Sequence, residues 1–192
     1  LLKARPVAGD PAVGEEFLRR TAAFLYAADP ETVRAEVRAM KDRTENYLRS
    51  QGREWGEVKL GEGSIRDIEF ITQSLQLISG ARRPEIRSRN TLDALSQLLR
   101  YHLLSLEDYR VLSDGYLFLR TVEHHLQIMH YRQTNSLPRD PADLAQLARR
   151  LGFEGPDAAG QFLARYGQHA AAVRALYLKY LGGQPMEPPP AQ

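Results

Sequence analysis

The sequence predicts an all-α protein, a bundle of about seven helices, on three observations. Apolar residues recur every three or four positions through most of the 192 residues, which is the spacing of one helix face. N-cap residues come before several of these stretches, and Gly follows several of them. Only one short stretch, Glu57 to Leu60, has the character of a strand.

Two Asp-Pro pairs predict the beginnings of the first two helices. Asp10-Pro11 and Asp29-Pro30 each put an N-cap residue before a Pro suited to the first helical position. The first helix is predicted to reach about Ala28, and the second to end near Ser50, before Gly52. Their predicted apolar sides are Phe17, Phe24 and Leu25 in the first helix, and Val33, Val37, Met40, Thr44 and Tyr47 in the second.

The segment Glu57-Val58-Lys59-Leu60 lies between Gly56 and Gly61 and is short enough for a single strand. No second strand is visible in the sequence. A lone strand leaves its backbone N–H and C=O groups unpaired. The partners of this strand are therefore expected outside the sequence.

Five further helices are predicted downstream, each introduced by a turn or cap signal. Ser64 with Asp67 and Ser105 with Asp108 have the spacing of a capping box, and Asn90 and Asp140 are N-cap residues. The helix after Ser105 is the longest, at about 25 residues or ~37 Å. The last helix follows Gly155-Pro156 and stops at Gly182-Gly183. The Pro-rich tail, 182–192, is predicted to be disordered.

Composition excludes several classes of protein. The formal net charge of +2 does not suggest a nucleic-acid binder, and the absence of Cys excludes disulfides and thiolate metal sites. No apolar run approaches the roughly 18 residues of a membrane span, and a cytoplasmic location is expected. Because the chain starts at Leu1 in the middle of a pattern, it is interpreted as a piece of a longer protein.

The segment from Lys59 to Phe70 is the strongest candidate site. Gly61 and Gly63 come just before a predicted helix N-terminus, where free backbone N–H groups and the helix dipole favour a phosphate. Lys59 and Arg66 would add positive charge. The alternative is an ordinary turn followed by a capped helix. The arginines between 82 and 89 leave a similar choice between an acidic or nucleotide partner and a solvated loop.

Metal and nucleophile motifs are not found in the sequence. His125 and His130 are five residues apart, which does not suit a zinc-binding helix. Asp67 and Glu69 are two apart and diverge by about 200° on a helix, so they do not share a metal. The sequence therefore predicts no catalytic residue and no metal ligand in this chain.

Several motifs, in order along the chain, resemble those of the bacterial bifunctional glutamine-synthetase adenylyltransferase/adenylyl-removing enzymes. The segment Lys59-Leu-Gly-Glu-Gly-Ser-Ile-Arg-Asp-Ile-Glu-Phe70 is similar to that family's Lys-x-Gly-x-Gly-Gly-Ile-Arg-Asp/Glu-Ile-Glu-Phe, with Ser64 in place of the second Gly of the pair. Further matches are Leu2 to Asp10, Tyr116 to His124, Gln133 to Pro138 and Leu147 to Phe153. The match covers residues 1–181 and is closer to the adenylyl-removing half.

The resemblance implies a helical module that follows a nucleotidyltransferase sheet carrying Asp-x-Asp. Residues 1–62 would then be the end of the nucleotidyltransferase region and 63–181 the helical bundle. The implied reaction is phosphorolysis of adenylyl-tyrosine on glutamine synthetase, with Mg²⁺ and ATP, ADP or phosphate held by the parent enzyme. Glutamine synthetase and the signalling protein PII are the implied partners, with no nucleic acid and no membrane.

The resemblance also implies a set of residues that would form the wall of the nucleotide and phosphate cleft. They are Lys3, Arg5, Lys59, Gly61, Gly63, Arg66, Asp67 and Glu69. Asp67 and Glu69 are expected to orient Arg66 or Lys59 by ion pairing. Two alternatives stay open: a non-catalytic module that binds PII or glutamine synthetase, and the equivalent module of PII uridylyltransferase.

Overall fold

The computed structural model describes residues 2–130 and 135–182, and within these ranges the protein is all-α, as predicted. One 3₁₀ turn, Pro84–Ile86, and an isolated β-bridge accompany seven α-helices. None of the helices in these ranges is both long enough and apolar enough to cross a membrane. The helices are α1 Pro11–Leu25, α2 Pro30–Ser50, α3 Ile65–Ser79, α4 Thr91–Arg100, α5 Leu106–His130, α6 Pro141–Arg150 and α7 Ala158–Leu181.

The predicted N-caps are confirmed at most helices. Asp10, Asp29, Asn90 and Asp140 each accept a hydrogen bond from a backbone N–H in the first turn, at 2.9 to 3.0 Å. Ser105 Oγ accepts from the backbone N–H of Asp108 at 3.0 Å. These local bonds satisfy N–H groups that have no partner within the helix, which is why sequence alone located these helix starts.

The capping box predicted at Ser64 is wrong. Ser64 is buried, and its hydroxyl has no hydrogen-bond partner among the described residues. Asp67 Oδ2 instead accepts from the backbone N–H of Gly63 at 2.8 Å. The carboxylate of Asp67 points into the protein interior, where two cations surround it, so the reciprocal pair does not form.

Helix α3 lies at the centre of the bundle and packs against α2, α4, α5 and α7. Its buried face includes Ile68 and Ile71, which belong to the same hydrophobic cluster as Leu98, Leu119 and Phe162, and all five are fully buried. Full burial of such a side chain contributes about 1.5–3 kcal/mol. The predicted functional segment is the turn that precedes α3, so it lies at the edge of this central helix.

The predicted apolar face of α2 is confirmed at Val33 and Val37 but is wrong in the second half of the helix. Met40 and Tyr47 are 45% and 60% exposed, whereas the buried positions are Val33, Lys41, Glu45 and Leu48. The prediction followed apolar residues, but the helix buries two charged side chains that pair with charges elsewhere in the core. From residue 40 onward, the apolar pattern therefore placed the buried face one position too early.

Helix α1 is amphipathic, but its apolar side is not part of the core. Phe17 and Phe24 are 53% and 84% exposed, and no residue of α1 is buried. The helix ends at Leu25, earlier than the predicted Ala28, and the adjacent Tyr26 lies under the Arg87 guanidinium at 4.2 Å. Periodicity indicated an apolar face correctly but does not show what covers it.

The segment predicted as a strand without a partner pairs within the chain. Glu57 forms a single antiparallel bridge with Ser136, and the N–H of Val58 donates to Asn135 O at 2.8 Å. The segment therefore has a partner within the sequence, and it forms an isolated bridge where a strand was predicted. The loop after α5 returns to this segment, a long-range contact that no local pattern shows.

Two predicted regions fall wholly or partly outside the described residues. They are the tail, from residue 183 onward, and the beginning of the Gln133–Pro138 match. The division at residues 62 and 63 stays a prediction, although α2 packs against both α3 and α7 across it.

Asp108 joins the start of α5 to the end of α7. Its Oδ2 accepts from Lys179 Nζ at 2.7 Å and from the Tyr180 hydroxyl at 2.6 Å. Burial acts to raise the pKa of Asp108, but the hydrogen bonds from Lys179, Tyr180 and Ser105 outweigh it and hold the pKa below its ordinary value. The charged form of Asp108 therefore stabilises the fold.

Asp108→Asn is expected to lower the free energy of unfolding by about 2 kcal/mol at pH 7, the value of hydrogen bonds to a charged group. A depressed pKa gives stability above the unfolded-state pKa that is lost as the pH falls through the folded-state pKa. The wild type should therefore lose more stability than the variant between pH 7 and pH 3. Urea unfolding at both pH values measures this, with exposed Asp42→Asn as control. Equal pH dependence in wild type and Asp108→Asn would contradict the assignment.

Candidate functional site

A buried lysine holds the turn that carries the predicted site. Lys41 of α2 is fully buried, and its Nζ donates to the carbonyl oxygens of Leu60, at 3.0 Å, and Gly61. The same Nζ lies 2.5 Å from Asp67 Oδ1 and 3.2 Å from Glu45 Oε1. One ammonium group thus links α2, the turn and the first turn of α3.

Arg174 of α7 completes this buried cluster. Its guanidinium donates to both carboxylate oxygens of Glu45, at 2.9 and 3.3 Å, and lies 3.7 Å from Asp67 Oδ2. Two cations and two carboxylates therefore balance, as buried charges require. Burial raises the pKa of Asp67, although Lys41, the N–H of Gly63 and Arg174 favour its charged form.

Sequence reasoning missed Lys41, Glu45 and Arg174. The available signal was the position of Lys41, four residues after the predicted core residue Val37 and seven before Leu48, so that these three share one helix face. A charged residue on a buried face implies a counter-charge in the core. The sequence could not identify that counter-charge, because Arg174 is 129 residues from Glu45.

Gly63 lets α7 lie against the turn. Its φ is +64°, and a Cβ placed there would be 2.0 Å from the carbonyl oxygen of Ala170 in α7. Only a residue without a side chain fits this approach. At the other predicted glycine, Gly61, the carbonyl oxygen accepts a hydrogen bond from Lys41 Nζ. Both glycines therefore serve the packing of the turn onto the bundle.

The backbone N–H groups of the turn are largely used within the chain. Those of Gly61, Ile65 and Arg66 donate to the carbonyl oxygens of Glu57, Val58 and Lys59, at 3.0 to 3.3 Å. The N–H of Gly63 donates to Asp67. A phosphate held by these N–H groups stays a prediction, and it requires such bonds to open. The side-chain cations nearby need no such change.

Four cations surround the start of α3, and we name them the cationic rim: Lys3, Lys59, Arg66 and Arg120. Glu69 lies 3.5 Å from Lys3 Nζ and 4.0 Å from Arg66 Nε. Glu123 of α5 lies 3.2 Å from Lys59 Nζ and 2.5 Å from Arg120 Nη1. The rim therefore carries four cations and two carboxylates, an excess of positive charge at the surface.

The predicted pairings of the two acids are partly corrected. Glu69 lies beside Arg66, as expected. Asp67 does not orient Arg66 or Lys59, because its carboxylate is buried between Lys41 and Arg174. Lys59 pairs with Glu123 instead. Arg5 is exposed and borders a groove beside α1, and among the described residues no hydrogen bond joins its side chain to the rim.

The described residues form no cluster of metal ligands. In the ranges 2–130 and 135–182, no three His, Asp or Glu side chains converge to hold a metal ion. The Mg²⁺ implied by the resemblance is expected on residues of the parent enzyme outside this chain, and no step proposed below runs through it. Anion binding by the exposed cations is the chemistry that this geometry suits.

Comparison with known proteins finds one matching family and several similar enzymes. Residues 31–181 match the family described as GlnD PII-uridylyltransferase. A bifunctional glutamine synthetase adenylyltransferase/adenylyl-removing enzyme of Streptomyces avermitilis is 39% identical over 93% of this chain and 18% of its own length. The enzymes of that name from Agrobacterium fabrum and Rhodopseudomonas palustris are 39% and 36% identical, over 80% and 96% of this chain.

These relatives are much longer than the chain, which covers 16% and 19% of the Agrobacterium and Rhodopseudomonas proteins. The similarity nevertheless extends over nearly all of the helical bundle, including the turn before α3. The chain therefore belongs to the family described as GlnD PII-uridylyltransferase, and its expected resemblance to the glutamine synthetase adenylyltransferase/adenylyl-removing enzymes is confirmed.

Proposed function

We propose that the chain is the helical module of an enzyme that adenylylates and deadenylylates glutamine synthetase. The observation that carries this proposal is identity of 36–39% over most of the chain to enzymes of that name. The chain spans less than a fifth of their length, so the activity, glutamine synthetase as substrate and the cytoplasmic location are all part of the proposal. The motifs favour the adenylyl-removing half.

In this proposal the cationic rim is one wall of the nucleotide and phosphate cleft. The backbone N–H of Arg66, at the start of α3, donates to the carbonyl oxygen of Lys59 at 3.0 Å, and the two side chains are 35% and 38% exposed. The buried cluster around Lys41 holds their backbone in place, so the two cations are positioned before an anion arrives. Preorganised cations attract a phosphate without the cost of rearranging the site.

The chain's own residues would bind and orient, and none is proposed to react. Phosphorolysis joins inorganic phosphate to the adenylyl phosphorus, breaks the bond to the tyrosine oxygen and releases ADP. The rim would hold the incoming phosphate or the phosphates of ADP by charge-assisted hydrogen bonds. Glu69 and Glu123 offset part of the positive charge, which allows the product to leave.

Arg66→Gln, made in the enzyme that contains this chain, is expected to raise the apparent KM for phosphate about tenfold. Loss of one hydrogen bond to a charged group accounts for that size of effect. The measurement is ADP release from adenylylated glutamine synthetase at varied phosphate concentration. Arg82→Gln, in the exposed loop after α3, is the matched control and should leave KM unchanged. Equal effects of the two substitutions, or none from Arg66→Gln, would contradict the rim assignment.

A second candidate function is docking of a protein partner, either glutamine synthetase or PII. The exposed apolar side of α1, with Phe17 and Phe24, is the observation in its favour. The equivalent module of PII uridylyltransferase is a further alternative, in keeping with the family description. We prefer the first proposal because the relatives named above carry the adenylyltransferase name.

A further inference from the structure

A cavity of about 420 Å³ lies between the end of α2, the segment before α3 and the middle of α7. It is separate from the cationic rim and of a size that suits a small ligand. Four carboxylates and two aromatic rings dominate its lining: Glu45, Glu54, Glu57, Glu62, Trp55 and Tyr166. The proposed function uses none of these residues to bind a substrate.

The cavity carries excess negative charge. Lys41 and Arg174 neutralise Glu45 from the interior, but the described structure gives Glu54 and Glu62 no salt-bridge partner. Arg49 is the one basic residue in the lining, and its guanidinium donates to Asn46 at 2.9 Å. Such a charge distribution excludes anions from the cavity and favours a cation.

Glu57 provides the second and more specific observation. It is only 2% exposed, and its Oε2 accepts from Ser136 Oγ at 3.0 Å. Arg53 Nη2 lies farther away, at 3.8 Å from Oε2. Among the described residues, Oε1 of Glu57 has no hydrogen-bond partner. A buried carboxylate oxygen without a donor is costly. Because Glu57 lines the cavity, a ligand bound there would be a source of the missing donor.

The aromatic residues supply the remaining recognition. Trp55 is 44% exposed beside the acidic groups, and Trp is the strongest aromatic partner for a cation. Burial, with a smaller effect of the Glu57 charge, raises the pKa of Tyr166 to about 12. Tyr166 is therefore neutral at physiological pH and adds an uncharged wall.

We propose that this cavity binds a guanidinium group, which stacks on Trp55 and donates N–H groups to Glu57. A guanidinium is flat, stacks on aromatic faces and presents paired donors to a carboxylate, whereas an ammonium is a compact point charge without the flat, paired arrangement of donors. Both an arginine side chain of a polypeptide and free arginine offer this chemistry. The proposal is independent of the proposed function.

The test uses the fluorescence of Trp55, the only Trp in the 192-residue chain. Nα-acetyl-L-argininamide is titrated into the chain at constant ionic strength, and Nα-acetyl-L-citrullinamide, in which urea replaces guanidinium, is the neutral analogue. A saturable change is expected with the arginine compound alone. Absence of saturation, or equal responses to both compounds, would overturn the proposal.

Glu57→Gln is expected to weaken binding of the arginine compound about tenfold, because it removes one charge-assisted hydrogen bond. Glu107→Gln, on the exposed start of α5, is the matched control and should bind as the wild type does. Far-UV circular dichroism checks that both variants fold. Unchanged affinity in folded Glu57→Gln would overturn the assignment to this cavity. If that variant does not fold, the wild-type comparison of the two compounds still decides.

Free L-arginine distinguishes the two sources of the guanidinium. Free L-arginine carries an α-ammonium and an α-carboxylate, whereas the blocked compound has neither charge and resembles a residue within a polypeptide. Tighter binding of the blocked compound supports an arginine side chain of a protein partner. Binding of free arginine at least as tight supports the small molecule, and both results support the cavity as a guanidinium site.

Discussion

Lys41→Met is expected to lower the free energy of unfolding by about 3–5 kcal/mol, the cost of leaving a buried charge without its partner. The substitution nearly preserves volume but removes the donor that Leu60 O, Gly61 O and Asp67 share. Among the described residues, Asp67 would then keep the more distant Arg174 as counter-charge, at 3.7 Å. The turn before α3 would also lose its link to α2.

Urea unfolding followed by circular dichroism measures this loss. Lys3→Met is the matched control, since the Lys3 side chain is 46% exposed and pairs with Glu69 at 3.5 Å. Exposed pairs of this kind contribute about 0–1 kcal/mol. A loss of less than about 1 kcal/mol in Lys41→Met would show that the buried cluster does not hold the turn.

The double variant Lys41→Met with Asp67→Asn tests the cause of the effect. Asp67→Asn removes the negative charge but can still accept from the N–H of Gly63. If the uncompensated charge is the main cost, the double variant is less destabilised than the sum of the single variants. Strict additivity of the two losses would mean that the charges do not interact.

Gly63→Ala is expected to cost about 2–5 kcal/mol for two separate reasons. The φ of +64° is unfavourable for a residue with a side chain, by about 1–2 kcal/mol. The added Cβ would also meet the carbonyl oxygen of Ala170 at 2.0 Å, so α7 must move, at a further cost of about 1–3 kcal/mol. Thermal and urea unfolding measure the total.

Gly152→Ala separates these two causes. Gly152 has a φ of +86°, yet a Cβ there would have no atom within 4 Å. It should therefore show the backbone cost alone, about 1–2 kcal/mol. If Gly63→Ala lowers the free energy of unfolding no more than Gly152→Ala does, the result would contradict a close contact between α7 and the turn.

Local signals in the sequence were enough to predict the helices. An Asp before a Pro, or an Asn at a helix start, satisfies its own neighbouring N–H groups, so Asp29 and Asn90 could be recognised without knowledge of the rest of the chain. The bridge between Glu57 and Ser136 could not be recognised in this way, because it depends on where the chain lies after α5. The exposure of Phe24 could not be predicted either, since the spacing of apolar residues shows only that a helix face is apolar.

The turn before α3 was predicted better than the side-chain contacts around it. The motif from Lys59 to Glu69 identified the turn, and Arg66 lies beside Glu69 as expected. The direction of the Asp67 side chain depends on Lys41 and Arg174, which come from two other helices. Charged residues in a core are explained only by their partners, and those partners are distant in sequence. The role of the cleft residues stays a prediction.

Release of ADP from adenylylated glutamine synthetase, by the enzyme that contains this chain, tests the proposed function most directly. The proposal predicts ADP release that requires inorganic phosphate and restores the activity of the synthetase. The contradicting result is no release of ADP at any phosphate concentration, together with transfer of uridylyl groups to PII by the same enzyme.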